Sequence, residues 1–143
     1  MYRVFVAPKK ETLYAEDTLP VSQGQLLLGY RTGVTLTDED FYVCTLLNEI
    51  LGASPVSKLF MNVREKQSLC YHCSSSYNAY KGAILISCGL EPSNRDVAER
   101  AILAQVEALR RGEISEEELS AAKKSLENGY RQLLDSPGAM ETY

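Results

Sequence analysis

SKLFMNVREKQSLCYHCSSSY, Ser57 to Tyr77, holds the only histidine of a 143-residue chain, two of its four cysteines, and an arginine seven residues ahead of a tyrosine. The stretch changes period partway. With the preceding Val56, its residues Leu59, Phe60 and Val63 recur at helical spacing, whereas from Leu69 to Tyr77 side chains alternate as in a strand. A helix running straight into a strand, with a histidine, cysteines and a tyrosine at the join, decides how the rest of the chain is laid out.

Downstream, Asn78-Ala79-Tyr80-Lys81-Gly82 suits a hairpin connection, and Ala83 to Leu90 forms the returning strand. Ser93-x-x-Asp96 is expected to cap a helix carrying Ala98, Ala101, Ile102 and Leu109, closed by Arg110-Arg111-Gly112. Ser115-x-x-Glu118 opens another, with Leu119, Ala122, Leu126 and Leu133 on one face, stopping at Ser136-Pro137-Gly138. Upstream, Ser54-Pro55 reads as an N-cap with a first-turn proline. Before it, Thr37-x-x-Asp40 resembles a capping box for a helix with Val43, Leu46, Leu47 and Ile50, ended by Gly52. Gln25 to Arg31, QLLLGYR, reads as a buried strand between Gly24 and Gly33. Residues 1–20 carry no clear long element, although Tyr2 to Val6 looks like mid-strand. Helix pairs alternating with a hairpin give an α+β fold: a two-layer arrangement, an antiparallel sheet with helices packed on one face. The expected division is a preceding segment, 1–23, and a domain, 24–143. Both ends look cut from a longer polypeptide.

The composition narrows the function classes. Fifteen basic against nineteen acidic residues give a net charge of −4, with no large Lys/Arg cluster, so nucleic-acid binding is not expected. No apolar run approaches the roughly 18–20 residues of a membrane span, and no signal-peptide core precedes Pro8-Lys9-Lys10. A cytoplasmic protein with reduced thiols at Cys44, Cys70, Cys73 and Cys88 is the simplest expectation.

Three chemistries are weighed at the join. A metal site at CYHC is disfavoured: in a continuous strand Cys70 and His72 share one face while Cys73 points to the other, and only the singly spaced Cys44 and Cys88 remain as further ligands. A Cys70–His72 nucleophile would need an orienting group and oxyanion donors, and neighbours at i and i+2 splay apart. The HExxH and HxxEH peptidase motifs need two histidines, so one histidine cannot build them. Gly24, Gly29 and Gly33 flank a strand and are followed by no phosphate-loop lysine. The remaining pair is Arg64, in the last turn of the helix, and Tyr71, two residues into the strand. Both can converge on the helix–strand corner, where a guanidinium can donate to peptide carbonyls and a phenol to a developing oxyanion. Spacing alone equally allows a solvated arginine and a packed tyrosine.

LGASPVSKLFMNVREKQSLCYHCSSSYNAYKGAILI, Leu51 to Ile86, resembles the second-domain signature of the M16 zinc peptidases, a family that includes insulin-degrading enzyme, pitrilysin and the mitochondrial processing peptidase. GEISEEELSAAKKSLENGYRQLLDSP, Gly112 to Pro137, is similar to the family's long helical segment. The likeness covers roughly residues 24–137 and is nearest to small bacterial M16-like proteins that lack the zinc motif. It implies the LuxS/mitochondrial-processing-peptidase-like metallohydrolase fold, and no catalytic residue or metal in this chain. It also implies a zinc-bearing M16 domain or subunit as partner, an extended peptide as substrate, and Arg64 and Tyr71 as the residues holding the substrate backbone. A structural or assembly subunit that kept the fold is the alternative. For the isolated chain a homodimer through the surface meant for the rest of the subunit is an open outcome. Departures from the family pattern are Ala53 for a second glycine, Lys58 for arginine, Ser68 for glycine, and Cys70 for a small residue before the tyrosine.

Overall fold

The computed structural model of the chain describes residues 11–20 and 22–135. Its sheet is three-stranded and antiparallel in the order β1-β3-β2, from β1 (Gly24–Arg31), β2 (His72–Asn78) and β3 (Ala83–Leu90). The hairpin closes with Asn78 opposite Ala83 and runs back to Cys73 opposite Cys88 and His72 opposite Gly89. β1 pairs with the other side of β3, from Arg31 opposite Ala83 to Gly24 opposite Leu90. The helix α1 (Phe41–Asn48) runs on into a π-helical segment, Glu49–Ala53, and a second π-helical segment, Leu59–Glu65, precedes β2. After β3 come a short 3₁₀ turn at Pro92–Asn94, α2 (Arg95–Arg110) and α3 (Glu116–Asp135).

The helices cover one face of the sheet, as the α+β reading expects. On β3, Ile84, Ile86, Cys88 and Leu90 are buried while Leu85 faces out. On β2, Cys73 and Ser75 are buried while His72, Ser74 and Ser76 are exposed. Leu59, Val63, Ala98 and Ile102 complete the core from the helical side. β1 departs from expectation. It is a one-faced strand rather than a buried one, because the far face of the sheet has no covering layer among the described residues: Leu26, Leu28 and Tyr30 pack on the core, but Leu27 is 60% exposed.

Helix starts divide into a success and three shifts. Ser115 and Glu118 form the expected reciprocal box, with Glu118 N–H donating to Ser115 Oγ at 3.1 Å and Ser115 N–H to Glu118 Oε1 at 3.4 Å. Gly112, at φ 75°, ends α2 in the left-handed conformation glycine adopts freely, and Glu113 N–H closes back on the Ala108 carbonyl at 2.9 Å. Ser93, in contrast, lies inside the 3₁₀ turn, and Asn94 is the N-cap of α2, its side chain donating to the Leu69 carbonyl at 3.4 Å rather than capping the helix. The box at Thr37 does not form either, because Asp38 is drawn back to Thr35, accepting from its N–H at 2.6 Å and its Oγ1 at 2.9 Å. Residues 54–57 make a turn, and the next helix starts three residues later than Ser54-Pro55 suggests, with Ser57 Oγ accepting from Phe60 N–H at 3.3 Å. Val56 is consequently exposed and Phe60 half-buried.

The stripe of α1 is also rotated. Val43 is 65% exposed, and the helix docks instead through Cys44 and Asn48, followed by Ile50, Leu51 and Gly52. A buried polar pair sets that face: Ser75 Oγ donates to Asn48 Oδ1 at 2.8 Å, which both groups need once they are out of water. Gly52 permits the approach, since a Cβ there would stand 2.7 Å from Ser75 N and from Leu59 Cδ1. The expected strand at Tyr2 to Val6 and the helix stop at Ser136 to Gly138 lie outside the described residues.

Candidate functional site

The chain turns from the Leu59–Glu65 helix into β2 over a short connection whose tightest point is Ser68, at φ 51°, with its N–H on the Arg64 carbonyl at 3.1 Å. That turn brings Arg64 and Tyr71 together. Arg64 Nε donates to the Tyr71 carbonyl at 2.9 Å, Nη1 pairs with Glu65 Oε1 at 3.1 Å, and the guanidinium lies 4.7 Å from the centre of the Phe60 ring. Nη2 makes no hydrogen bond among the described residues. The arginine is therefore held on three sides, yet its side chain keeps 38% of its exposure.

Tyr71 lies just before β2, pinned through its backbone N–H to the Gly89 carbonyl at 2.7 Å. Its ring is 46% exposed, and its hydroxyl donates to Glu91 Oε1. That bond, more than any burial, raises the phenol above its ordinary pKa. Tyr71 therefore stays a protonated donor through the neutral range. Phe60, Glu65, Gly89 and Glu91 all support this corner, and sequence reasoning named none of them as site residues. One signal was available for Glu91: stepping equally back along both strands from the Asn78–Ala83 hairpin puts the end of β3 beside the start of β2.

The cysteines lie differently from the expectation. β2 starts at His72, not Leu69, with a bend at Tyr71, so Cys70 and His72 do not share a strand face. Instead the sulfurs of Cys70, Cys73 and Cys88 lie within 4.8 Å of one another, Cys73 and Cys88 buried and Cys70 half-buried. Cys70 escapes the alternation of faces because it precedes the regular pleat. Burial, then the neighbouring Cys88, pushes the Cys70 thiol up to about 12, with Arg64 pulling weakly the other way. The Cys88 thiol is raised as well, first by its hydrogen bond to Cys73 and then by burial. Neutral thiols of this kind are poor nucleophiles. His72 is exposed and lies against Gly89, where a Cβ would come within 2.4 Å of its Cε1.

Among the described residues only the three thiols bring three metal-ligating atoms together. The chain's single histidine excludes an HxxEH centre built from its own residues, and three sulfurs do not supply that centre's imidazole and carboxylate donors. No helix among the described residues is long and apolar enough to cross a membrane.

The one-faced α+β layer, a three-stranded antiparallel sheet under its helices, is the fold of peptidase M16 inactive domains. The chain belongs to the family described as the peptidase M16 inactive domain, whose profile matches residues 2–126. Among relatives, the Bacillus subtilis (strain 168) protein named "probable inactive metalloprotease YmfF" is 36% identical over 127 residues, covering 89% of this chain and 29% of that protein. The "uncharacterized zinc protease YmxG" of the same organism is 29% identical over 116 residues, covering 80% and 28%. Among solved structures, a conserved protein from Enterococcus faecalis V583 superposes with a TM-score of 0.81 at 37% identity, over 85% of this chain and 29% of that one. A peptidase M16 inactive domain from Pseudomonas fluorescens gives 0.68 at 27% identity, over 76% and 27%. The chain thus spans under a third of the length of each of these proteins.

Proposed function

We propose that this domain is the zinc-free half of an M16-type peptidase assembly, binding an extended peptide and presenting Arg64 and Tyr71 to a zinc site on another domain or subunit. The observation that carries this is the 2.9 Å bond from Arg64 Nε to the Tyr71 carbonyl, which ties both residues to one exposed corner. The remaining guanidinium N–H groups can donate to a peptide carbonyl. The Tyr71 phenol, kept protonated, can exchange Glu91 for a developing oxyanion. β2 is an edge strand among the described residues, which supports main-chain pairing with an extended peptide. A cytoplasmic setting belongs to the same proposal, supported by four free thiols.

The test is peptide hydrolysis by the full-length protein with its zinc-bearing partner, compared with Arg64→Ala and Tyr71→Phe. A loss of about two orders of magnitude or more in kcat/KM is expected, the scale set by removal of one oxyanion donor. A structural or assembly role is the second reading, favoured by the internal partners both side chains already have, Glu65 for Arg64 and Glu91 for Tyr71. Full activity in both variants selects that second reading.

A further inference from the structure

The strand register sets Cys73 directly opposite Cys88, and the bend at Tyr71 turns Cys70 in toward them. The three sulfurs, all within 4.8 Å, come from three separate points: the segment before β2, β2 itself and β3. A three-coordinate ion with metal–sulfur bonds of about 2.3 Å needs sulfurs about 4 Å apart, so the cluster needs to close by less than about 1 Å. Among the described residues no histidine or carboxylate joins the group. Trigonal all-sulfur coordination with two of the three sulfurs buried suits a soft, closed-shell cation rather than a hard one or a four-coordinate structural zinc.

We propose that Cys70, Cys73 and Cys88 form a three-thiolate site for one soft cation of the Cu(I) type. Binding exchanges each S–H proton for a bond to the ion, and the protons leave to solvent on the half-buried Cys70 side. No electron is transferred. The Arg64 guanidinium, close enough to Cys70 to favour its thiolate, offsets part of the negative charge the bound cluster carries. Because Cys70 adjoins Tyr71, an ion here would also fasten the start of β2 that carries the arginine–tyrosine corner. The site stands whether or not that corner processes peptides.

The experiment uses the reduced full-length protein without oxygen, offered Cu(I) against bicinchoninate. One equivalent per chain is expected to move to the protein, with affinity at least about tenfold lower in Cys70→Ser and unchanged in Cys44→Ala. Cys70 is half-buried and outside the strand, so Cys70→Ser is the change least able to unfold the core, and far-UV circular dichroism checks this. No transfer of copper, or equal transfer in Cys70→Ser, overturns the proposal, as does loss in Cys44→Ala. X-ray absorption on the unmutated copper-loaded protein gives an answer independent of any variant: three sulfur scatterers are expected, and nitrogen or oxygen ligands in their place overturn it.

Discussion

The β2–β3 hairpin has two ends, and they are held by different chemistry. At the closed end, neutral groups make backbone-directed bonds. Thr32 N–H donates to the Gly82 carbonyl at 2.8 Å, Leu36 N–H to Ala79 at 3.1 Å, and Tyr77 hydroxyl to Val34 at 2.6 Å. At the open end, besides the Tyr71 N–H bond to the Gly89 carbonyl, the ties to Tyr71 run through Arg64 and Glu91, charged and in contact with water, across a connection that forces Ser68 to φ 51°. Bonds of the first kind are not exchanged easily, because the Gly82 and Val34 carbonyls sit in a shared set of bonds that Thr32 Oγ1 also joins, at 2.9 and 3.2 Å. Those of the second kind can be traded for water or for a ligand at small cost. The closed end is therefore scaffold, and the open end is where the proposed peptide and ion would act.

The largest effect is expected where both ends share a support. Gly52 lets the π-helical segment approach the middle of β2, and Gly52→Ala puts a Cβ 2.7 Å from a backbone nitrogen that cannot swing away. A loss of about 2–3 kcal/mol, the usual cost of overpacking, is expected in chemical denaturation. Unchanged stability would mean that the helix can slide off β2, and the two ends would then be less firmly coupled than their common support implies.

Next comes the contrast between two tyrosines. Tyr77→Phe takes from the Val34 carbonyl the shorter of its two hydrogen bonds, leaving the 3.2 Å one from Thr32 Oγ1, and is expected to cost about 1 kcal/mol, whereas Tyr71→Phe should leave the melting temperature where it is. pH sharpens the difference. Burial, then the nearby Cys44, raises the Tyr77 phenol above its ordinary value near 10. A raised folded value stabilises fully below the unfolded pKa and is lost as pH climbs past it, so the stabilisation is present below about pH 10 and falls away above. The unmutated protein should thus lose stability faster than Tyr77→Phe above that pH. The raised thiols of Cys44, Cys70 and Cys88 add a shared loss in both proteins, beginning near pH 9. Parallel curves would place Tyr77 with the exchangeable contacts after all.

Much of the closed end was legible in the chain. Asn78 to Gly82 is turn chemistry, the two strands flank it, and Ser115 and Glu118 cap α3 as written. What stayed hidden depended on neighbours distant in sequence or on small changes of phase. Thr37 has the same motif as Ser115, but Thr35 competes for the adjacent Asp38, and no spacing rule ranks the two. The face of α1 follows the buried Asn48–Ser75 pair, not the hydrophobic pattern. The thiol cluster hung on whether β2 began at residue 69 or 72, because a shift in where the pleat starts changes which side chains meet. The spacing of Arg64 and Tyr71 put both near the helix–strand corner, where Arg64 meets the Tyr71 carbonyl. The partner of Tyr71, Glu91, follows only from the register of the strands, which the hairpin fixes.

The smallest effect concerns the strain of the open end. Ser68 takes a left-handed backbone that costs a non-glycine residue about 1–2 kcal/mol, at a position where the resembling peptidases carry glycine. Ser68→Gly relieves that cost but returns freedom to the unfolded chain, an opposing effect of about 0.4–1 kcal/mol. A net gain of about 0.5–1 kcal/mol is left, a rise of about 2–4 °C in Tm for a chain of this size. Activity of the proposed peptidase assembly should not change, since Ser68 touches the corner only through its N–H on the Arg64 carbonyl, which glycine keeps. A fall in Tm would mean that the unfolded-state entropy outweighs the strain, and the turn into β2 would be as settled as the turn out of it. A rise in Tm together with lost hydrolysis would mean something else: the strained serine itself sets the angle at which Arg64 meets Tyr71, and the open end holds its geometry at the expense of stability.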